Sequence, residues 1–122
     1  MKILLADDKP EVRSALRLVL EQVPLPAQVV EVSDVQALFS HLREDCTAVV
    51  LIDWELPNIS MRELVPLLRS YCPGMKVIAM SSRFEARQEA LLAGTDAFIS
   101  KAESPERTLS TLYALLLQEK NS

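Results

Sequence analysis

Glycine is scarce in this chain: two residues in 122. No glycine-rich loop can therefore cradle a nucleotide phosphate anywhere along it. Histidine occurs once, at His41, on a segment that reads as a surface helix, so a histidine-centred catalytic triad is not expected. Aromatic residues make up 5%. No basic excess exists: the net charge is −4, which argues against a surface that grips nucleic acid by itself. No apolar run approaches the roughly 20 residues that span a bilayer. A strand-like run begins directly after Met1 and Lys2, so a signal peptide is not expected. There are two cysteines, Cys46 and Cys72, in no zinc-like spacing and no CxxC pair. They are expected to be reduced thiols in a cytoplasmic protein, where disulfides are rare.

What is present is a chain of ordinary globular composition, 49% hydrophobic and 25% charged, long enough to bury a core. Strand-like and helix-like segments alternate every 20 to 25 residues or so, the rhythm of βαβ units and a parallel sheet. Strands are expected at 2–6, 27–32, 48–52, 76–80 and 96–100. The 48–52 run, Ala-Val-Val-Leu-Ile, has the composition of a central strand buried on both faces. The first helix opens on Pro10 and carries Val12, Ala15, Leu16, Val19 and Val23 at helical spacing, with Pro24 and Pro26 ending it. Ser33 or Asp34 caps a second helix with Val35, Leu38, Phe39 and Leu42 inside. A third holds Met61, Leu64, Val65, Leu67 and Leu68, with Pro66 within it. A fourth runs from about 84 to 93 and stops at Gly94. The last begins at Ser104-Pro105-Glu106: hydroxyl cap, proline, first-turn acid. Its inward stripe is expected at Leu109, Leu112, Tyr113 and Leu116, with Leu115 well off it and Leu117 at its edge. Residues 1–122 are expected to form one domain with no output module.

The chemistry collects where the strands stop. The first ends at Asp7-Asp8, the third at Asp53, the fourth at Ser81-Ser82 and the fifth at Lys101. In an open parallel sheet, ligands bind beyond the carboxyl ends of the strands, where the strand order reverses. If the order is 2-1-3-4-5, taken from doubly wound precedent, Asp7, Asp8 and Asp53 share one crevice. Two carboxylates 4–5 Å apart repel by roughly 3–4 kcal/mol at an effective dielectric near 20. Such a crevice calls for a counter-charge, and Mg²⁺, which prefers oxygen ligands and accepts substrate phosphate, fits. Each piece has an ordinary explanation: Asp7-Asp8 as a helix cap, Asp53 as a loop residue, Ser81 as a turn former, Lys101 as a solvated side chain, Phe98 as core. Together these need four coincidences at one edge.

Ile3–Asp8, Val50–Pro57, Val77–Ser82 and Gly94–Lys101, in that order, resemble the response-regulator receiver domain of two-component signalling, over nearly the whole chain. The segments Asp7–Arg13 and Lys101–Glu106 are closest in style to receivers that precede a LuxR-type helix-turn-helix. The resemblance implies a flavodoxin-like α/β fold of five parallel strands and five helices. It implies that Asp53 accepts a phosphoryl group from a sensor histidine kinase. Asp8, Asp53 and the backbone carbonyl of Glu55 would bind Mg²⁺, with Asp7 acting through water. Ser81 and Lys101 would hold the phosphoryl oxygens, and Phe98 would be the switch aromatic. Phosphorylation would then alter the surface of the fourth helix, fifth strand and last helix, to control an output domain or another protein.

Glu55 and Arg83 occupy variable positions flanking such a site, where they could pair across its mouth and slow hydrolysis. Leu18 and Leu115, outside their helices' stripes, mark a possible homodimer or output contact between the first and last helices. Two departures from the family pattern stand out. Ala102 follows the lysine where a cis-proline is common, and Asn58-Ile59-Ser60-Met61 lacks the usual glycine. Trp54 reads as an exposed or half-buried loop aromatic. Two rivals remain in other classes. One is a receiver-like module that binds proteins without phosphorylation. The other is an aspartyl-nucleophile hydrolase, which needs an aspartate where Glu55 stands.

Overall fold

The computed structural model describes residues 2–22 and 27–120, with side chains described through Leu115. Five strands alternate with five helices: β1 (Lys2–Ala6), α1 (Pro10–Leu20), β2 (Gln28–Val32), α2 (Val35–Glu44), β3 (Val49–Asp53), α3 (Met61–Tyr71), β4 (Lys76–Ser81), α4 (Ala86–Leu92), β5 (Ala97–Ser100) and α5 (Pro105–Lys120). The sheet is parallel throughout, in the order β2-β1-β3-β4-β5. Each expected strand is present to within a residue at either end.

Apolar patterning decides which strands are central. All five residues of β3 are buried, as are the last five of β4. Side chains on one face of the sheet meet α2, α3 and α4, where Leu4, Val50, Ile52 and Val77 pack with Leu38, Leu64, Leu68 and Ala90. The opposite face meets α1 and α5, where Leu5, Leu51, Ile78 and Met80 pack with Leu20, Leu112 and Leu115. Successive strand residues point to opposite faces and residues two apart share one, so Leu4 and Ala6 enter one core while Ile3 and Leu5 enter the other.

Local signals set the helix ends. Asp34, rather than Ser33, caps α2, accepting from the N–H of Ala37 at 2.7 Å. Ser60 caps α3 through the N–H of Arg62. Pro66 lies inside α3 and the helix continues past it. Gly94 follows α4 at φ 101, a conformation that side-chain-bearing residues rarely take. Asn58 takes φ 76 in the glycine-free loop after β3, and asparagine is among the few residues that tolerate that region. The peptide bond after Lys101 is trans.

Several expectations need correction. Leu115 is buried at 8% exposure, while Tyr113 is 41% exposed. The α5 face that docks is Thr108, Leu112 and Leu115, spaced i, i+4, i+7. Leu112 and the partly buried Leu109 are inside as expected, but the stripe runs through Leu115 rather than Tyr113, because this helix offers leucine on several faces. Leu18 is exposed as expected, at 65%, but Leu115 cannot join it in a surface contact. In α1 the fully buried residue is Leu20, and Ala15 is exposed. Val23, Pro24 and Pro26 lie outside the described residues, as do the side chains of Leu116 and Leu117. Trp54 is buried, packed in the α2–α4 core rather than left in the loop. Cys46 and Cys72 are joined in a disulfide, with Cα atoms 5.8 Å apart. Sequence separation hid this, because only the parallel pairing of β3 and β4 brings the segment before β3 beside the end of α3.

Candidate functional site

The crevice forms because β1 and β3 are neighbours while their following helices go to opposite faces of the sheet. Asp7 follows β1 directly and Asp53 ends β3, so both carboxylates emerge at the same edge. Asp7 is fully buried, Asp53 is 2% exposed and Asp8 is exposed. One oxygen from each of the three lies within 4.8 Å of the others. Backbone groups hold the acids in place. The N–H of Lys9 donates to Asp7 Oδ1 at 2.9 Å, and the N–H of Glu55 donates to Asp53 Oδ1 at 3.0 Å. Arg13 of α1 donates to the Asp7 carbonyl at 2.6 Å, fixing the loop that carries both N-terminal acids.

Lys101 closes the crevice from the end of β5. Its Nζ is 2.9 Å from Asp7 Oδ2 and 3.2 Å from Asp53 Oδ1. The N–H of Lys101 donates to the Ser81 carbonyl at 2.9 Å, which continues the β4–β5 pairing and sets where the side chain enters. Burial pushes the Asp53 carboxyl above the usual carboxylate range. The Glu55 N–H and the Lys101 charge pull it back only in part, and the Asp7 charge pushes it further up. Burial alone would lower Lys101, but its bond to Asp7 and the charges of Asp53 and Asp7 outweigh this and hold its ammonium above the usual lysine range.

Ser81 is fully buried at the end of β4. Its hydroxyl donates to Glu55 Oε1 at 2.7 Å and accepts from the Arg83 N–H at 3.0 Å. Arg83 reaches Glu55 Oε2 at 3.4 Å and Glu89 Oε2 of α4 at 3.8 Å. Trp54 Nε1 donates to that same Glu89 oxygen at 3.1 Å. Glu55 and Arg83 are thus paired, and a chain of polar contacts runs from Ser81 to α4. Sequence reasoning did not foresee the Ser81–Glu55 bond or the part of Glu89. The signal was available: Glu55 follows β3 and Ser81 ends the neighbouring β4. Phe98 is half-buried against the α2–α4 core. His41 is on α2, away from this edge.

The donor set fits Mg²⁺. It is all oxygen, carries several negative charges in a small space, and leaves the exposed side of Asp8 open to water. Asp7, Asp8 and Asp53 are the side chains that could hold it.

The chain is a doubly wound α/β domain with an acidic, lysine-closed crevice at the carboxyl ends of its strands. The family model of the response regulator receiver domain matches residues 3–113, and the chain belongs to that family. The transcriptional activator protein ExaE of Pseudomonas putida is 31% identical over 118 residues, covering 95% of this chain and 55% of that protein. The phosphate regulon regulator PhoB of Escherichia coli is 29% identical over 119 residues, covering 94% of this chain and 51% of that protein. The chain spans about half the length of these curated relatives. Among solved structures, a CheY-like receiver domain protein from Methanospirillum hungatei superposes with a TM-score of 0.81 at 25% identity, covering 99% of this chain and 98% of that one. A LuxR-family response regulator from Aurantimonas shares the fold, with a TM-score of 0.84 at 23% identity over 96% of this chain and 85% of that one.

Proposed function

We propose that Asp53 is the phosphoacceptor of this receiver domain, taking its phosphoryl group from a sensor histidine kinase. One observation carries the reading: a carboxylate 2% exposed stands at the end of the central strand, in reach of two further acids and of an ammonium 3.2 Å away. Asp53 Oδ1 is engaged by Lys101 and the Glu55 N–H, which orient the group and leave its second oxygen to attack phosphorus. As the new P–O bond forms, the P–N bond to the donor imidazole breaks and its electron pair stays on the nitrogen. Lys101 faces the charge carried by the transferred group, and Ser81 supplies a hydroxyl beside it. Asp8, Asp53 and the Glu55 carbonyl would hold Mg²⁺, with Asp7 acting through water. When bound, the ion neutralises phosphoryl oxygen charge.

The Glu55–Arg83 pair acts as a gate that slows attack of water on the acyl phosphate. Phe98, three residues before Lys101, moves with Ser81. The readout is the α4–β5–α5 surface, where Phe84 (77% exposed), Leu92 (81%) and Tyr113 offer apolar contact to an output domain, a partner protein or a second copy. Two of the relatives are transcriptional regulators, so a DNA-binding output is the expected context; this segment makes no nucleic-acid contact itself. The domain works in the cytoplasm, and among the described residues no helix is long and apolar enough to cross a membrane.

The test is chemical. The purified chain is incubated with acetyl phosphate and Mg²⁺, reduced with borohydride and digested. The peptide bearing Asp53 should carry the label, and Asp53→Asn should abolish it. An unmodified peptide, with a known receiver labelling alongside, overturns the assignment.

A further inference from the structure

The edge of the sheet opposite the acidic crevice holds a second reactive group. Cys46, in the segment between α2 and β3, is bonded to Cys72, the residue that caps the C-terminus of α3. Both cysteines of the sequence are engaged in this bond. The sulfurs differ in surroundings. Cys46 is exposed, whereas Cys72 is 2% exposed and packs in the α2–α4 core. An open cavity of about 940 Å³ is lined by both cysteines together with Lys2, Gln28, Asp45 and Gly74.

We infer that Cys46 and Cys72 form a thiol–disulfide exchange site that a dithiol reductant opens through Cys46. The thiolate of the reductant attacks Cys46 Sγ, the accessible sulfur. The S–S bond breaks, its electron pair leaves on Cys72 Sγ, and that sulfur takes a proton inside the core. The mixed disulfide stands on Cys46, in the open cavity. The second thiolate of the reductant attacks the reductant's own sulfur and releases Cys46, which takes a proton. Two electrons and two protons have then passed to the pair, and the reductant has closed to its own disulfide. Once reduced, Cys46 has an acceptor ready: its sulfur is 3.7 Å from the Tyr71 carbonyl in the last turn of α3.

The pair ties the entry to β3 to the entry to β4, while Asp53 and Ser81 stand at the far ends of those strands. Four residue steps along β3 put about 13 Å between the two edges. The exchange site is thus independent of the phosphoacceptor chemistry, and the two readings fail separately.

The experiment uses the full chain. It is equilibrated with oxidised glutathione, treated or not with dithiothreitol or with reduced glutathione at equal thiol concentration, then alkylated with iodoacetamide in denaturant and weighed. No alkylation is expected without reductant and two alkyl groups after dithiothreitol. The monothiol is expected to act at least tenfold more slowly and to leave an acid-trapped mixed disulfide that peptide mapping places on Cys46. In separate variants, Cys72→Ser should take glutathione from its disulfide at least tenfold faster than Cys46→Ser. Two free thiols after equilibration with oxidised glutathione would mean that the bond does not form. A mixed disulfide mapping to Cys72 would overturn the entry route. Equal opening rates by the monothiol and the dithiol would overturn the assignment to a dithiol.

Discussion

Replacing Lys101 with methionine keeps the stem of the side chain and deletes its charge. In the parent the ammonium is 2.9 Å from Asp7 and 3.2 Å from Asp53, and the three side chains are 17%, 0% and 3% exposed. Without it, two buried carboxylates face each other with oxygens no more than 4.8 Å apart. At an effective dielectric of 20 that repulsion is at least about 3.5 kcal/mol, in line with the 3–5 kcal/mol typical of breaking a buried pair. Urea unfolding in EDTA at pH 7, followed through the buried Trp54, should therefore show Lys101→Met less stable by about 3 kcal/mol. Added Mg²⁺ should recover most of the loss, because the ion supplies the missing counter-charge, and should stabilise the variant more than the parent. The pH profile is a second check. Lys101 is raised in the folded state, so its contribution is complete below its ordinary value of 10.5 and is lost only as pH climbs through the raised one. The gap between parent and variant should stay flat around neutrality and close in alkali. It should also narrow in acid, as the raised Asp53 carboxyl takes up its proton. A loss below about 1 kcal/mol, the ceiling for an exposed pair, with no dependence on pH or Mg²⁺, would refute the electrostatic account.

Two further outcomes follow from the same geometry. Asp53 is raised above 3.8 by burial, so the folded chain binds its proton more tightly than the unfolded chain, and stability falls as pH rises through the raised value. Asp53→Asn should therefore raise the melting temperature at pH 7 in EDTA, with parent and variant converging below about pH 4; a variant that melts lower at pH 7 would contradict the desolvation argument. Glu55→Ala with Arg83→Ala should shorten the acyl-phosphate lifetime, by up to about fivefold if the partly exposed pair contributes about 1 kcal/mol to the barrier; an unchanged decay of the trapped label would remove the gate.

The parts of the fold that could be read in advance are those where one signal dominates. A five-residue apolar run ending in aspartate could hardly be anything but a buried strand with its acid at the edge, and β3 is buried along its whole length. The cap at Asp34 and the stop at Gly94 are local chemistry, legible without tertiary knowledge. The missing loop glycine raised a question of backbone geometry, and the answer is Asn58, which supplies the positive φ itself. The failures lie where tertiary contacts choose among equal local options. In α5, leucines at 109, 112, 115, 116 and 117 allow more than one stripe, and docking against Leu20, Ile78 and Ile99 selects the one through Leu112 and Leu115. Trp54 next to a loop looked peripheral, but its ring enters the core while its Nε1 finds Glu89, the usual solution for a buried indole. The cysteines, 26 residues apart, needed the β3–β4 register before their proximity could be known.

The site residues were named from strand ends, yet the bond most informative about switching was not among those readings. Ser81 has one hydroxyl proton, and it is given to Glu55 at 2.7 Å. On the proposed reading, a phosphoryl oxygen on Asp53 competes for that proton. Exchanging one charge-assisted bond for another, each contributing about 1.5–3 kcal/mol, leaves little net gain. Carrying a population from 1:99 to 99:1 needs about 5.5 kcal/mol, so the exchange alone cannot drive the switch. Beside the attraction of Lys101 for the phosphoryl group, repulsion supplies part of the missing bias. A phosphoryl group brings about −1.5 to −2 of charge to the crevice, where the Glu55 carboxylate already stands on Ser81. Glu55 can retreat toward Arg83, 3.4 Å away, which in turn touches Glu89 on α4. On that reading, charge entering at Asp53 is passed to α4 through Glu55, Arg83 and Glu89. On this account the direction of the switch is set by what the phosphoryl group expels as much as by what it attracts.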